Sequence, residues 1–388
     1  MNSIIETLNS DLYSKEIQTR ILPDSNKVDS KTFSRLLDEE RVVASYKMYW
    51  LLGILEEASL GNTEIEFHRL IARMIVGAWY PSMQYKLSFG MFDNLKTPIN
   101  YVSVKYKFAP NCNEGELLKF LCETEDNELK KMMRDLTLQV PYRLLSPFFS
   151  EELRGKKDSS KNKLITDLSL NSDNCLYKIV KGEKDRIVLN KGWADYLNEN
   201  YRVIKSWIYY KLVCFLQKRN PNVPAIAFKL EAPKSRNLTT ATKLWKEIIV
   251  AKNIKDIYTG EAFIERNYAN YGVLSIDHFI PWSFVLHDEM WNLVPTFKNI
   301  NSSKSDKLLN YHKYIDSFCD MQYEAVTYIS EKGKEKALES YIDVLKIESF
   351  HEYLKYKTKE AFNKKLKQCI SPLYQIAENQ GFQVIDKI

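Results

Sequence analysis

Asp277 and His278 stand side by side in Ser275-Ile276-Asp277-His278-Phe279-Ile280-Pro281-Trp282; Asn292 follows in Trp291-Asn292-Leu293-Val294, and Asn301 and Lys304 close the set in Asn299-Ile300-Asn301-Ser302-Ser303-Lys304. These residue types can cut a phosphodiester. Hydrolysis near neutral pH needs a base to take a proton from water and a cation to offset charge gathering on the phosphate oxygens. A neutral imidazole, with an ordinary pKa of about 6.5, meets the first need, and His278 is the candidate. Hard divalent cations take oxygen donors and keep several waters, so one carboxylate and one carboxamide suffice beside a substrate phosphate. Asp277 and Asn301 supply them, for Mg²⁺ or Mn²⁺.

The spacing says which elements must position these groups. Asn292 lies 14 residues after His278, room for a loop and a returning strand, and Asn301 comes 9 later in a helix opening near Lys298. The expected order is strand, strand, helix. Neighbours on an extended strand face opposite ways, so Asp277 and His278 reach one phosphate only if a turn or bulge reorients them at the strand end; Pro281 fits such a departure. Asn301 and Lys304 are three apart and share a helix face. Lys304 is therefore expected to meet the scissile strand, with Lys298 and Lys307 as further phosphate contacts. His287, in the inter-strand loop, is expected to be solvent-exposed. Trp282, Trp291, Tyr258 and Phe263 are expected to fill a small core rather than stack on bases. For Asn292 taken alone, fixing a loop outweighs direct chemistry.

Over about Asp256 to Leu309 these residues resemble the HNH, or ββα-metal, nuclease family, which pairs Asp-His with a central Asn and a closing Asn or His on the helix. The likeness is nearest to the variant with Asp-His-x-x-Pro and Asn-x-x-Lys-Ser-Asp, as in the HNH lobe of RNA-guided CRISPR effectors; here these are Asp277 to Pro281 and Asn301 to Asp306. The resemblance implies that His278 activates water, that Asp277 and Asn301 ligate the metal, and that Asn292 fixes the loop or the imidazole. It implies products ending in 5′-phosphate and a DNA substrate. It does not extend to RNA guidance, because no second nuclease half is evident. Many members brace the fold with zinc on paired Cys-x-x-Cys motifs, whereas here Ile257-Tyr258-Thr259-Gly260-Glu261-Ala262-Phe263 stands at that place. No structural zinc is expected, and packing must replace it. How such nucleases are commonly deployed suggests bacterial restriction or anti-phage defence. Two other readings stay open: a degenerate HNH fold that binds nucleic acid or protein without cutting, and a nuclease acting on RNA.

Composition sets the frame. The 388 residues are 45% hydrophobic and 27% charged, enough to fold as about two domains. With 56 basic and 50 acidic side chains the net charge is +6, which permits nucleic-acid binding without demanding it. Residues 231–310 carry 10 basic and 9 acidic side chains, so a DNA groove there must come from local clustering. Six scattered cysteines with no Cys-x-x-Cys pair read as free thiols in a reducing compartment. Met1 to Glu6 lacks a basic segment leading into an apolar core, and no apolar run is long enough to cross a bilayer. The expectation is a cytoplasmic protein without a membrane segment.

The fold class expected is mainly α with a small α+β module. Residues 1–240 form a helical recognition, regulatory or partner-binding region, 241–310 the HNH module, and 311–388 a helical extension packing on it, with the domain boundary near 235–250. Apolar spacing predicts one long helix from Phe33 to Leu60, stopped at Gly61. Thr63 to Glu66 has the form of a capping box opening a helix through Val76. Helical packing is predicted over 115–137, an exposed, phosphate-accessible loop over Arg154 to Lys163, a hairpin near 175–189 and a helix from about Trp193 to Lys218. Pro221, Pro224 and Pro233 mark an irregular crossing to a helix around Thr239 to Val250. Beyond Asp306 helices are predicted with breaks near Gly333 and Pro372. Tyr353 to Lys367 interleaves lysines with Tyr356 and Phe362, which suits either a phosphate-following stripe or a solvated helix face. His68, His312 and His351 have no partner pattern.

Overall fold

The computed structural model describes residues 22–39, 42–232, 236–347, 350, 353–354 and 358–388. Of the residues singled out above, Met1 to Glu6, Pro233, His351, Lys355, Tyr356 and Lys357 lie outside these. The fold is mainly helical with a few small sheets. The chain divides into two compact units, one of Met1–Pro221 with Ile226–Pro233, the other of Asn222–Ala225 with Lys234–Ile388.

In the first unit, helix α1 (Tyr46–Ser59) packs on α2 (Phe67–Trp79). The single helix expected from Phe33 does not form. The Asp93 carboxylate accepts from Ser45 N at 2.8 Å and Ser45 Oγ at 2.6 Å, and α1 starts at the next residue. The capping-box reading also gives way: Glu64–Glu66 is a strand, β1, and Glu66 precedes α2 with no side-chain cap. Helix α3 (Asp158–Asn171) begins inside the stretch expected to be a loop. The hairpin forms from β2 (Tyr177–Val180) and β3 (Arg186–Leu189), and β1 pairs with β3 to make the antiparallel order β1-β3-β2. Ion pairs of Glu64 with Arg186 and Glu66 with Lys184 tie β1 to the hairpin; a register partner some 120 residues away thus outweighs the local helix signal. The helix expected from Trp193 splits at Asn200 into α4 (Trp193–Glu199) and α5 (Tyr201–Arg219).

The second unit opens with α6 (Thr239–Lys252), α7 (Glu265–Tyr271) and strand β4 (Leu274–His278). A short helix α8 (Trp282–Val285), strand β5 (Leu293–Phe297) and helix α9 (Lys298–Lys304) follow. Strand β6 (Leu308–Leu309) leads into α10 (Tyr311–Glu331). The long α11 (Lys359–Asn379) ends before β7 (Val384–Ile385), which pairs in parallel with β6. Pro372 lies inside α11 rather than breaking it. Packing fixes the C-terminal helices to the β4–β5 region: Phe279 stacks on Phe318 at 4.1 Å, and Gln322 Nε2 donates to Leu293 O at 2.7 Å and to Met290 O at 3.2 Å. Among the described residues no helix is long and apolar enough to cross a membrane.

In the first unit, Glu57 on α1 is 1% exposed and accepts from Arg73 Nε at 2.6 Å, Arg69 Nε at 2.9 Å and Asn62 Nδ2 at 2.7 Å. Burial pushes its carboxyl up, but the hydrogen bonds from Arg73, Arg69 and Asn62 outweigh it and hold the group below its ordinary 4.5. A depressed folded value means stability that is complete above about pH 4.5 and lost as pH falls through that lower value. Glu57→Gln is expected to lower unfolding free energy by about 1–3 kcal/mol near neutrality, since the bonds lost are to a charged group. Urea titrations at stepped pH should show the parent and variant converging as the solution is acidified.

Candidate active site

Strands β4 and β5 form an antiparallel ribbon with Asp277 opposite Val294 and His278 opposite Leu293. Phe279 N donates to Asn292 O and Lys298 N to Val273 O, each at 2.9 Å. These two bonds set the phase of the ladder: 277 with 294 is a hydrogen-bonded pair, and 276 with 295 and 278 with 293 are not. Two consequences follow. Pro295, which has no N–H, falls where no ladder bond is lost. The carbonyls of Ile276 and His278 point away from β5, to the free edge of β4.

Helix α9 lies along that edge. Asn301 Nδ2 donates to Ile276 O at 3.1 Å and to Ser275 Oγ at 2.8 Å, and Lys304 Nζ donates to His278 O at 2.7 Å. Residues three apart rise about 4.5 Å along a helix, while the two carbonyls are about 6.6 Å apart on a strand; the longer lysine spans the difference. Asp277 sits between the bracketed carbonyls. Its Oδ2 meets Lys304 Nζ at 2.9 Å and accepts from Tyr258 Oη at 2.6 Å. Lys304 is wholly buried and Asp277 is 5% exposed, so the ammonium must be neutralised where it stands. This corrects the expectation that Lys304 faces the scissile strand: the face shared with Asn301 looks onto the β4 edge.

Tyr258 reaches Asp277 from a tight turn. Asp256 accepts from Thr259 Oγ1 at 2.7 Å and Thr259 N at 3.2 Å, Gly260 N donates back to Asp256 O, and Gly260 takes the left-handed φ of +76° that the turn requires. Burial pushes the Tyr258 phenol well above its ordinary value, with the Asp277 charge adding to it. Its hydroxyl is therefore a donor to the carboxylate, and Tyr258 does more than fill the core. Phe263 does pack as expected, 5.0 Å from Phe297.

His278 ends β4, and its Nε2 lies 2.8 Å from Asp288 Oδ1. The ladder stays in register through His278, so the departure from the strand begins after the imidazole. Asn292 closes the intervening loop: it is fully buried, its Oδ1 accepts from Ile280 N at 2.8 Å, and its Nδ2 donates to Ile280 O at 2.9 Å. Its carboxamide is spent on backbone and makes no bond to the imidazole. Asp288 carries no motif and was not among the residues singled out from sequence. Burial pushes its carboxyl up, but the hydrogen bond and charge of His278, then Arg236 and His287, bring it below its ordinary value.

The other residues sort plainly. His287 is only partly exposed: its ring lies 4.8 Å from Trp291, and burial, with the nearby His278 adding, pushes its pKa down to about 4. Trp291 is buried, as a core residue should be, whereas Trp282 is only partly covered and lies 4.6 Å beneath the Arg236 guanidinium. Lys298 is exposed at the start of α9. Lys307 Nζ donates to Ser303 O at 3.0 Å. Farther on, Lys359 and Lys367 pair with Asp320 and Asp316, and Lys365 donates to Leu345 O; these partners suit a helix face better than a phosphate stripe.

A strand, strand and helix thus gather an acid, an imidazole and a carboxamide within one short stretch of chain. Residues 256–309 match the family model of the HNH endonuclease. Comparison with curated proteins and with solved structures found no match. The matched stretch lies at the centre of the second unit. Among the described residues no group of three or more His, Cys, Asp or Glu side chains is placed to hold a metal ion. The donors that remain are Asp277 Oδ1 and Asn301 Oδ1, neither with a hydrogen-bond partner among the described residues. An all-oxygen pair of this kind fits a hard cation that keeps much of its water.

Asn292→Ala would strand the buried N–H and C=O of Ile280, each worth about 1–3 kcal/mol when left unpaired. We expect a loss of about 2–4 kcal/mol and faster hydrogen exchange at the Ile280 amide; unchanged exchange there would show that the clamp does not hold the loop.

Proposed function

We propose that the HNH module is the catalytic part of a metal-dependent endonuclease that hydrolyses DNA phosphodiester bonds. The observation that supports this reading is the placement of α9 along the free edge of β4, where Asn301 binds Ile276 O and Lys304 binds both His278 O and Asp277 Oδ2. In this reading Asp277 and Asn301 hold one Mg²⁺ or Mn²⁺ through Oδ1 of each. The ion, when bound, supplies positive charge to the non-bridging and leaving oxygens of the phosphate. His278 takes the proton from the attacking water. Lys304 and Tyr258 hold Asp277 Oδ2 and so aim the carboxylate. Asn292 holds the loop behind the imidazole, and the exposed Lys298 meets the substrate backbone.

We further propose that the first unit selects the target or recruits a protein partner. Val43, Met91 and Phe92 support this: they are 71%, 85% and 71% exposed, and Arg219 both donates to Val43 O and packs against Gly90. The setting we infer is bacterial restriction or anti-phage defence in the cytoplasm. One observation favours a binding-only module instead: Oδ2 of Asp277 is engaged by both Lys304 and Tyr258.

Nicking of supercoiled plasmid separates these readings. The full chain should nick in Mg²⁺ or Mn²⁺ and stop in EDTA, and His278→Ala should slow it by about 10²-fold or more, the usual contribution of a general base. Parallel digestion of RNA would show whether the sugar matters. A chain that is inert on DNA and RNA under every metal condition would leave the binding-only reading standing.

A further inference from the structure

We propose that Asp288 is a positioning residue for His278: it holds the Nε2–H and so presents an unprotonated Nδ1 to the water that is activated. The inference rests on His278 being the base. An ionised carboxylate can only accept hydrogen bonds, so at 2.8 Å from Asp288 Oδ1 the ring nitrogen Nε2 must carry the hydrogen. In a neutral imidazole the lone pair then resides on Nδ1. Among the described residues Nδ1 has no hydrogen-bond partner. A carboxylate behind an imidazole does the same work in acyl-transfer triads, where it sets tautomer and orientation without taking the proton.

The loop that carries Asp288 is built to keep it in place. It leaves the strand at Phe279 and returns at Asn292, where Phe279 N donates to Asn292 O and the Asn292 side chain grips both polar groups of Ile280. Within it, Leu286 N closes α8 onto Trp282 O at 2.7 Å, and Leu286 takes a left-handed φ of +57°, a conformation uncommon for a leucine. That turn sends the chain back toward the imidazole. Asn292 N donates to Glu289 O, and His287 packs on Trp291, which pin the residues on either side of Asp288. Asp288 also opens onto a groove of about 1130 Å³ that continues past Glu289, Met290 and Leu244. The pair is thus both braced and reachable by water.

A contact between an acid and a catalytic imidazole has an opposite reading, a latch that occupies the base until a trigger removes it, and the test separates the two. The full chain labelled with ¹⁵N in its histidine rings, with His278 assigned by loss of its signals in His278→Ala, should show the Nε2–H tautomer at neutral pH. Asp288→Asn should shift that residue toward the other tautomer, because the amide can donate to Nε2, and should slow plasmid nicking by about 10²-fold or more, with Asp288→Glu recovering part of the rate. A wild-type His278 in the Nδ1–H form would overturn the proposal even if every Asp288 variant failed to fold. So would Asp288→Asn nicking as fast as the parent, or faster, as a latch requires. His278→Ala nicking like the parent would remove the base reading and this proposal with it, an outcome distinct from loss of the Asp288 effect alone.

Discussion

The second unit depends on one buried ammonium. Lys304 Nζ has no exposure to solvent, and it is neutralised by Asp277 Oδ2 while donating to the carbonyl of His278. An unpaired charge in that position would cost several kcal/mol, so helix, strand edge and carboxylate must come together or not at all. The same contact joins the two adjacent residues whose chemistry matters most. It fixes the backbone of the imidazole through its carbonyl and the orientation of the acid through its oxygen, leaving the other carboxylate oxygen without a partner among the described residues.

Two kinds of local rule bring the remaining groups to this centre. The ladder phase turns alternate carbonyls outward along β4, and the helical three-residue step lets Asn301 and Lys304 take two of them in turn. The long loop between the strands is closed by a side chain, Asn292, instead of by further ladder bonds. Backbone polar groups that cannot be left unpaired in the interior thereby become the means of holding functional side chains. Tyr258 approaches from an Asp256-braced turn, and C-terminal α10 covers the opposite side through Phe318 and Gln322.

Much of the centre was legible in the sequence because it is local. Asp277, His278, Asn292 and Asn301 fall within 25 residues, and a strand, a loop, a strand and a helix need no distant partner to be recognised. What was misread depended on direction or on distance. The i, i+3 relation of Asn301 and Lys304 was right, but periodicity alone does not say whether the shared face meets solvent or a strand edge. Asp288 had no signal, since one carboxylate in a polar loop looks like any other until the turn at Leu286 aims it. In the first unit the Thr63 to Glu66 cap and the long helix from Phe33 failed against partners far along the chain, Arg186 and Asp93. The sequence marks a helix break near Pro372, yet the helix it sits in continues.

The cation site formed by Asp277 and Asn301 at the β4 edge is what catalysis here would require. Manganese titration of the full chain, followed by the electron paramagnetic resonance signal of free Mn²⁺, tests this without requiring any substrate or turnover. One ion per chain is expected, weakened by roughly tenfold or more in both Asp277→Ala and Asn301→Ala and retained in His278→Ala. Mn²⁺ binding equally tight in the parent and in both ligand variants would contradict it.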